Sequence, residues 1–442
     1  MNTNLDLNKI PSFKIPLWRR GKLLILLFVL AGFLAGFLQD LTFGSGYSGG
    51  IRLPGLIGIS LLGLGFVLLL ARNRGKIKLK KFFSTRLGIC FLGFIILNFL
   101  TCLGGMFQYG VLDTLTDADW LVWAGVMLLV LAEDSQIVAQ RLLIIFWVLS
   151  VVRALQGVAN LLQGRAALFL TTGGDRYVGG SVAQFIAAGL IISSVWFLLG
   201  AKRRSQKRIL VFVAILQLFA ILISFNRQTW VALSFALVVG FALFFRGKRL
   251  RIIIIGITLL SVLLISVFIA DQWSLFPVSI GDILLKRLGV GTNLDKYIAD
   301  SAIQFRFAAW RVAFQVIIES PVFGKGWGSP LIFRTAHATY NMSPHNTYLW
   351  LAYKSGLPSL ILYLLFVWTL IITGVKRYKT AQTRSQKALL SITILIEILY
   401  SVGALWWDYL TAMYVSIPIW LNRGLLTFYC FQNTNQQIEE QV

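Results

Sequence analysis

The chain is 442 residues long; 57% of them are hydrophobic and only 13% charged, against roughly 45–50% and 25% in soluble domains, and a soluble core cannot absorb that much apolar chain. The formal net charge of +24 would suit a nucleic-acid binder, but such proteins gather basic residues on one folded face. Here they sit between apolar runs and read as membrane-topology signals, with no nucleic-acid partner.

The predicted fold is all-α, a polytopic membrane protein of about twelve spans. Residues 1–22 form a cytoplasmic N-terminal segment. Its Arg19, Arg20 and Lys22 precede an apolar run as in a signal peptide, but Leu34 to Asp40 offers no convincing small-residue cleavage site, so a retained first helix is expected. Stretches able to cross, or nearly cross, ~30 Å of hydrocarbon begin near Leu23, Leu53, Leu87, Trp120, Leu142, Ser181, Ile209, Thr229, Ile252, Thr347, Ala388 and Leu410. Helices 1–9 thus occupy residues 23–270 and helices 10–12 residues 345–430, with a loop domain at 271–344 and a cytoplasmic tail at 431–442. The Trp120 run is short and the next contains Arg153, so these two are expected to tilt, snorkel or face the interior. Cys90, Cys102 and Cys430 fall in or beside apolar runs and behave as small buried hydrophobes, without a disulfide or metal framework.

Cytoplasmic loops retain Lys and Arg. The clusters Arg72 to Lys81, Lys202 to Arg208, Arg246 to Arg251 and Lys376 to Lys387 all follow even-numbered spans, which puts both termini in the cytoplasm. Loops after odd-numbered spans face outward, such as Gly104 to Asp119 with Asp113, Asp117 and Asp119 but no cation.

The segment 271–344 then lies outside the membrane, far longer than the usual few-residue connection. Asp300 to Glu319 reads as a helix packed on the membrane domain and stopped by Ser320-Pro321; VFGKGWGSP, Val322 to Pro330, reads as a tight glycine-rich turn. Ser343-Pro344 offers an N-cap and a first-turn proline, so the tenth span is expected to begin at His345, with a kink at Gly356 and Pro358.

Only two histidines exist, His337 and His345. His337 reads as a solvated loop residue. His345, placed in a first helical turn, would be kept neutral by the positive dipole end and could accept a proton; a histidine merely satisfying a helix end is the equal alternative. Arginines near outward membrane edges are the second signal, because guanidinium forks match phosphate oxygens. Arg227 in SFNRQTW and Arg306 on the loop helix fit such a role better than snorkelling; Arg176 in GDRYVGG is a further candidate, and Arg311 beside Trp310 reads as structural. Gly324, Gly326 and Gly328 lack phosphate-loop spacing, and the outward acids show no DxD pair, so neither metal nor cofactor is expected. Lys354 and Glu397 are intramembrane charges whose bland explanation is mutual pairing; Trp406, Trp407 and Asp408 read as an interfacial belt.

Three stretches resemble the O-antigen ligase and O-antigen polymerase superfamily (Wzy C-terminal-like, with a GT-C-like fold): RFAAWRVAFQVIIESPVFGKGWGS from Arg306 to Ser329, SPHNTYLWLAYKSGLPSLILYL from Ser343 to Leu364, and SFNRQTW from Ser224 to Trp230. The resemblance implies a metal-independent, inverting membrane glycosyltransferase acting outside the cytoplasmic membrane. Its donor would be a glycan on undecaprenyl pyrophosphate and its acceptor a lipid- or glycan-linked hydroxyl, with membrane lipids as surroundings. Carried onto this sequence, Arg227 and Arg306 would hold the pyrophosphate and His345 would be the general base; Arg176, Asn346, Trp310 and His337 are secondary candidates for substrate contact. In the Arg176 stretch, Gln184 stands where the family usually has Pro-Asn. The competing expectation is a small-anion, bicarbonate-type transporter of the same superfamily; a third is a non-catalytic scaffold.

Overall fold

The computed structural model describes residues 79–133, 135–164, 178–201, 203–244, 301–335, 338–409 and 413–431. The spans expected from Leu23, Leu53 and Ile252, residues 271–300 and the tail from 432 onward lie outside them.

The described residues are mostly helical, in the order α1 (Arg86–Tyr109), α2 (Val111–Asp117), α3 (Trp120–Glu133), α4 (Gln136–Leu162), α5 (Gly180–Val195, continued by a π turn at Trp196–Gly200), α6 (Arg204–Ile223), α7 (Arg227–Phe244), α8 (Ser301–Glu319), α9 (Thr347–Thr380), α10 (Arg384–Gly403) and α11 (Met413–Phe431). Among them, α1, α4, α5 with its π turn, α6, α7, α9 and α10 are long and apolar enough to cross a membrane. Side-chain caps fix several starts, because the first backbone N–H groups of a helix lack internal partners. Thr85 accepts from Gly88 at α1, Ser135 from Val138 at α4, and Thr383 forms a reciprocal capping box with Gln386 at α10. α3 has 14 residues, about 21 Å and short of a bilayer core. It is instead an interior helix packed on α11, with Trp120 and Trp123 fully buried and Trp120 stacked on Trp420 at 6.2 Å.

Among the described residues, a departure from helix lies between α8 and α9. Strands β1 (Ile332–Arg334) and β2 (Thr339–Asn341) form an antiparallel hairpin with Phe333 opposite Tyr340. A stacked aromatic cross-strand pair, here at 5.6 Å, supplies the side-chain contact such a short ladder needs.

α9 is broken where expected: Gly356 is non-helical at φ 78° and ψ 173°, with Pro358 two residues on. The break is filled from outside. Lys325 N–H donates to the Tyr353 carbonyl at 2.8 Å, Gly326 N–H to Lys354 at 2.9 Å, and Leu357 N–H to Pro321 at 2.7 Å. The glycine-rich stretch is therefore a wedge rather than a simple tight turn, with its backbone replacing the hydrogen bonds that the kink removes. Any β-carbon at Gly356 would run into the Val322 carbonyl. Trp327 of the wedge is fully buried and donates to Asn98 of α1.

The basic ends of the helices meet. Arg384 donates to the Leu198 carbonyl at 2.9 Å, and the Tyr378 hydroxyl donates to the Phe244 carbonyl at 3.3 Å. The clusters Arg203 to Arg208 and Lys376 to Lys387, and the chain just before Arg246, thus share one end of the bundle.

Candidate active site

At the opposite end, the starts of three helices converge on the turn after α10. α7 follows α6 through a tight turn in which Phe225 takes a left-handed φ of 49°. Asn226 caps the new helix by accepting from Gln228 and Thr229 N–H groups at 3.1 and 3.4 Å, so Arg227 is its first residue, as the very short SFNRQTW connection suggests. α9 starts at Thr347, with Asn346 as the cap, accepting from Leu349 N–H at 3.0 Å. Thr347 N–H donates to the carbonyls of Ala404 and Trp407, and its hydroxyl to Trp407 at 2.7 Å. α5 joins them through Gly180: a β-carbon there would meet the Asn226 amide and lie 3.2 Å from the Trp407 ring.

Two sequence expectations need correction here. His345 is not in the first turn of α9; it precedes the Asn346 cap with a left-handed φ of 50°. Ser343-Pro344 had the pattern of a helix start, but Asn346 lies closer to the apolar run and takes the capping bond. Trp406 and Trp407 are part of the convergence, not simply an interfacial belt.

His345 lies between aromatic rings, 5.5 Å from Phe305 of α8 and 5.5 Å from Trp407. Phe305 in turn packs on Phe333 and Tyr340 at 4.9 and 5.0 Å, so the hairpin braces the imidazole through one ring. Trp310 donates its indole N–H to the Pro344 carbonyl at 2.8 Å, tying α8 to the residue before His345. Burial, and secondly the facing Arg306 guanidinium, hold the His345 pKa down at about 4. The ring is therefore neutral at physiological pH, with lost hydration as the larger cause and the neighbouring cation as the smaller.

Arg306 reaches α7. With the Gln228 amide turned to satisfy both its ends, its oxygen accepts from Arg306 at 2.5 Å and its nitrogen donates to the Trp406 carbonyl at 3.3 Å. Arg306, the residue beside Arg227, and the Trp406-Trp407 turn are thus one hydrogen-bonded unit against His345. Of the expected site residues, Arg227, Arg306, Trp310, His345 and Asn346 come together, the last as a helix cap; Arg176 and His337 lie outside the described residues. Gln228, Phe305 and Trp407 were missed. A glutamine beside Arg227 and a tryptophan pair in a turn carry no local spacing that announces a site.

The two intramembrane charges do not pair with each other. Lys354 pairs with Asp117 at the end of α2, and donates to the Ser329 carbonyl, while Gly328 N–H donates to the same carboxylate at 2.9 Å. Glu397 pairs with Arg423 of α11 at 2.9 Å, and Arg423 also donates to the Tyr363 hydroxyl. Both pairs are long-range and largely buried, the arrangement that makes a charge tolerable away from water. Among the described residues no group of three or more His, Cys, Asp or Glu converges as a metal site would require.

No curated protein matches the chain. Residues 212–364, which contain Arg227, Arg306, His345 and the wedge in α9, match the family model described as O-antigen ligase. Over that segment, about a third of its length, the chain is similar to the O-antigen ligase family.

Proposed function

We propose that the chain transfers a glycan from undecaprenyl pyrophosphate to an acceptor hydroxyl at the outer face of the cytoplasmic membrane, by a metal-independent inverting reaction. The observation that carries this reading is the unit in which Arg306, bonded to Gln228 beside Arg227, faces a neutral His345 inside the family-matched segment. In the proposed step, His345 takes the acceptor hydroxyl proton and the oxygen attacks the anomeric carbon. The carbon–oxygen bond to pyrophosphate breaks on the opposite face, and the electron pair leaves on phosphate oxygen. Arg227 and Arg306 offset that charge, a contribution of order 10²- to 10³-fold for a well-placed donor; general-base help adds about 10²- to 10⁴-fold. Arriving donor charge also cancels part of the Arg306 field on His345, making the base stronger when it is needed. A bicarbonate-type transporter would use broken helices as its binding site, but the break in α9 is occupied by the chain's own backbone, so this reading has less support.

The test is a surface-glycan gel of a deletion strain, complemented by wild type or by His345→Ala. Loss of long chains from the lipid anchor with accumulated carrier-linked polymer means ligase; loss of polymer with single repeats remaining means polymerase. An unchanged glycan profile on deletion would overturn the proposal.

A further inference from the structure

α8 carries an exposed apolar stripe that the site does not use. Phe307, Phe314 and Ile318 recur at helical spacing on one face, and the stripe continues past the helix into Val322 and Phe323. Ile318 is 79% exposed and Phe323 64%. Arg311 and Lys325 are exposed along the same stretch.

What covers this stripe follows from its continuity with a spanning helix. The Pro321 carbonyl accepts from Leu357 N–H, and Lys325 N–H donates to Tyr353, so the Val322-Phe323 turn lies directly on α9 at its break. Immediately beyond, Leu357, Ile361, Leu364, Leu365 and Trp368 form the exposed face of α9, which in a spanning helix contacts lipid. Residues 357–380 alone would run about 36 Å, enough for the hydrocarbon core. The break, and the turn bonded to it, therefore sit at the hydrocarbon boundary on the site end.

We infer that α8 is an interfacial helix half-submerged in the bilayer, with Phe307, Phe314, Ile318, Val322 and Phe323 against phospholipid acyl chains and Arg311 and Lys325 at headgroup level. An apolar face flanked by cations is the pattern such helices use on anionic membranes. Arg306, about 100° round the helix from Phe307, is thereby held beside the headgroups, within reach of a phosphate that arrives by lateral diffusion. The assignment of α8 to the bilayer surface stands apart from the transfer reaction and is read without it.

The experiment uses the full chain in phosphatidylethanolamine and phosphatidylglycerol vesicles. Ile318→Cys, Phe323→Cys and, as a water-facing control on the hairpin, Arg334→Cys carry a polarity-sensitive fluorophore, with the labelled wild-type chain as background. The probes at 318 and 323 are expected to emit to the blue and to lose most of their signal to lipids bearing a doxyl group near the headgroup. They should lose little to aqueous iodide, while the probe at 334 shows the reverse. Iodide quenching at 318 and 323 would overturn the assignment by showing a water-facing stripe. Protection from both quenchers would overturn it by showing a second copy or another protein surface as the cover.

Discussion

Because the chain has only His337 and His345, its histidine titrations can be followed one by one. Full-length protein in nanodiscs, labelled at histidine Cε1, should give two resonances, with His337→Gln removing one and assigning the other. The His345 signal should titrate near pH 4 rather than at the ordinary 6.5. Burial is the larger cause of the depression and Arg306 the smaller. Arg306→Gln should therefore raise the midpoint by less than half of the gap back to 6.5. The sign has a functional consequence: a depressed pKa keeps the imidazole neutral and proton-accepting at every pH above its midpoint. The acid limb of kcat/KM, which reports free enzyme, should lie near pH 4, and the limb of kcat at higher pH once donor charge offsets Arg306. A wild-type midpoint near 6.5, or one that ignores Arg306→Gln, would refute the assigned packing of α8 against His345.

Three further outcomes follow from the same contacts. Arg306→Ala and Arg227→Ala should lower donor use by about 10²- to 10³-fold in a membrane transfer assay, with Arg→Lys intermediate because a fork becomes a point charge; equal activity across the series would mean snorkelling only. Lys354→Met should lower thermal stability in detergent by roughly 2–3 kcal/mol because it strands the Asp117 carboxylate, and Lys354→Met with Asp117→Leu should recover more than half of that loss. Gly356→Ala should cost about 2 kcal/mol or more, since the residue needs a positive φ and a β-carbon would strike the Val322 carbonyl. The same measurement on Gly104→Ala, where a β-carbon meets nothing, should show little change.

Local chemistry was legible in the sequence, and long-range chemistry was not. The helices from Leu87, Leu142, Ser181, Ile209, Thr229, Thr347 and Ala388 announce themselves by apolar length, and the break at Gly356 by its glycine and proline. SFNRQTW is too short to be anything but a tight reversal. By contrast, the partners of Lys354 and Glu397 are Asp117 and Arg423, which no spacing rule connects. The backbone bonds that turn VFGKGWGSP into a wedge depend on a break thirty or so residues further on. His345 stands out by its rarity and position, but the Phe305 ring and Arg306 guanidinium beside it come from a separate helix that no spacing rule connects to it. Trp407 reads as a membrane-belt residue because its ring neighbour, His345, is likewise remote in sequence.

Proton acceptance by His345 during the proposed glycan transfer is tested by assaying purified His345→Gln in membranes supplied with an undecaprenyl-pyrophosphate-linked glycan and acceptor, with insertion and thermal stability checked alongside. A folded, inserted protein whose rate falls by about 10²- to 10⁴-fold is the predicted result; a rate equal to wild type would contradict it.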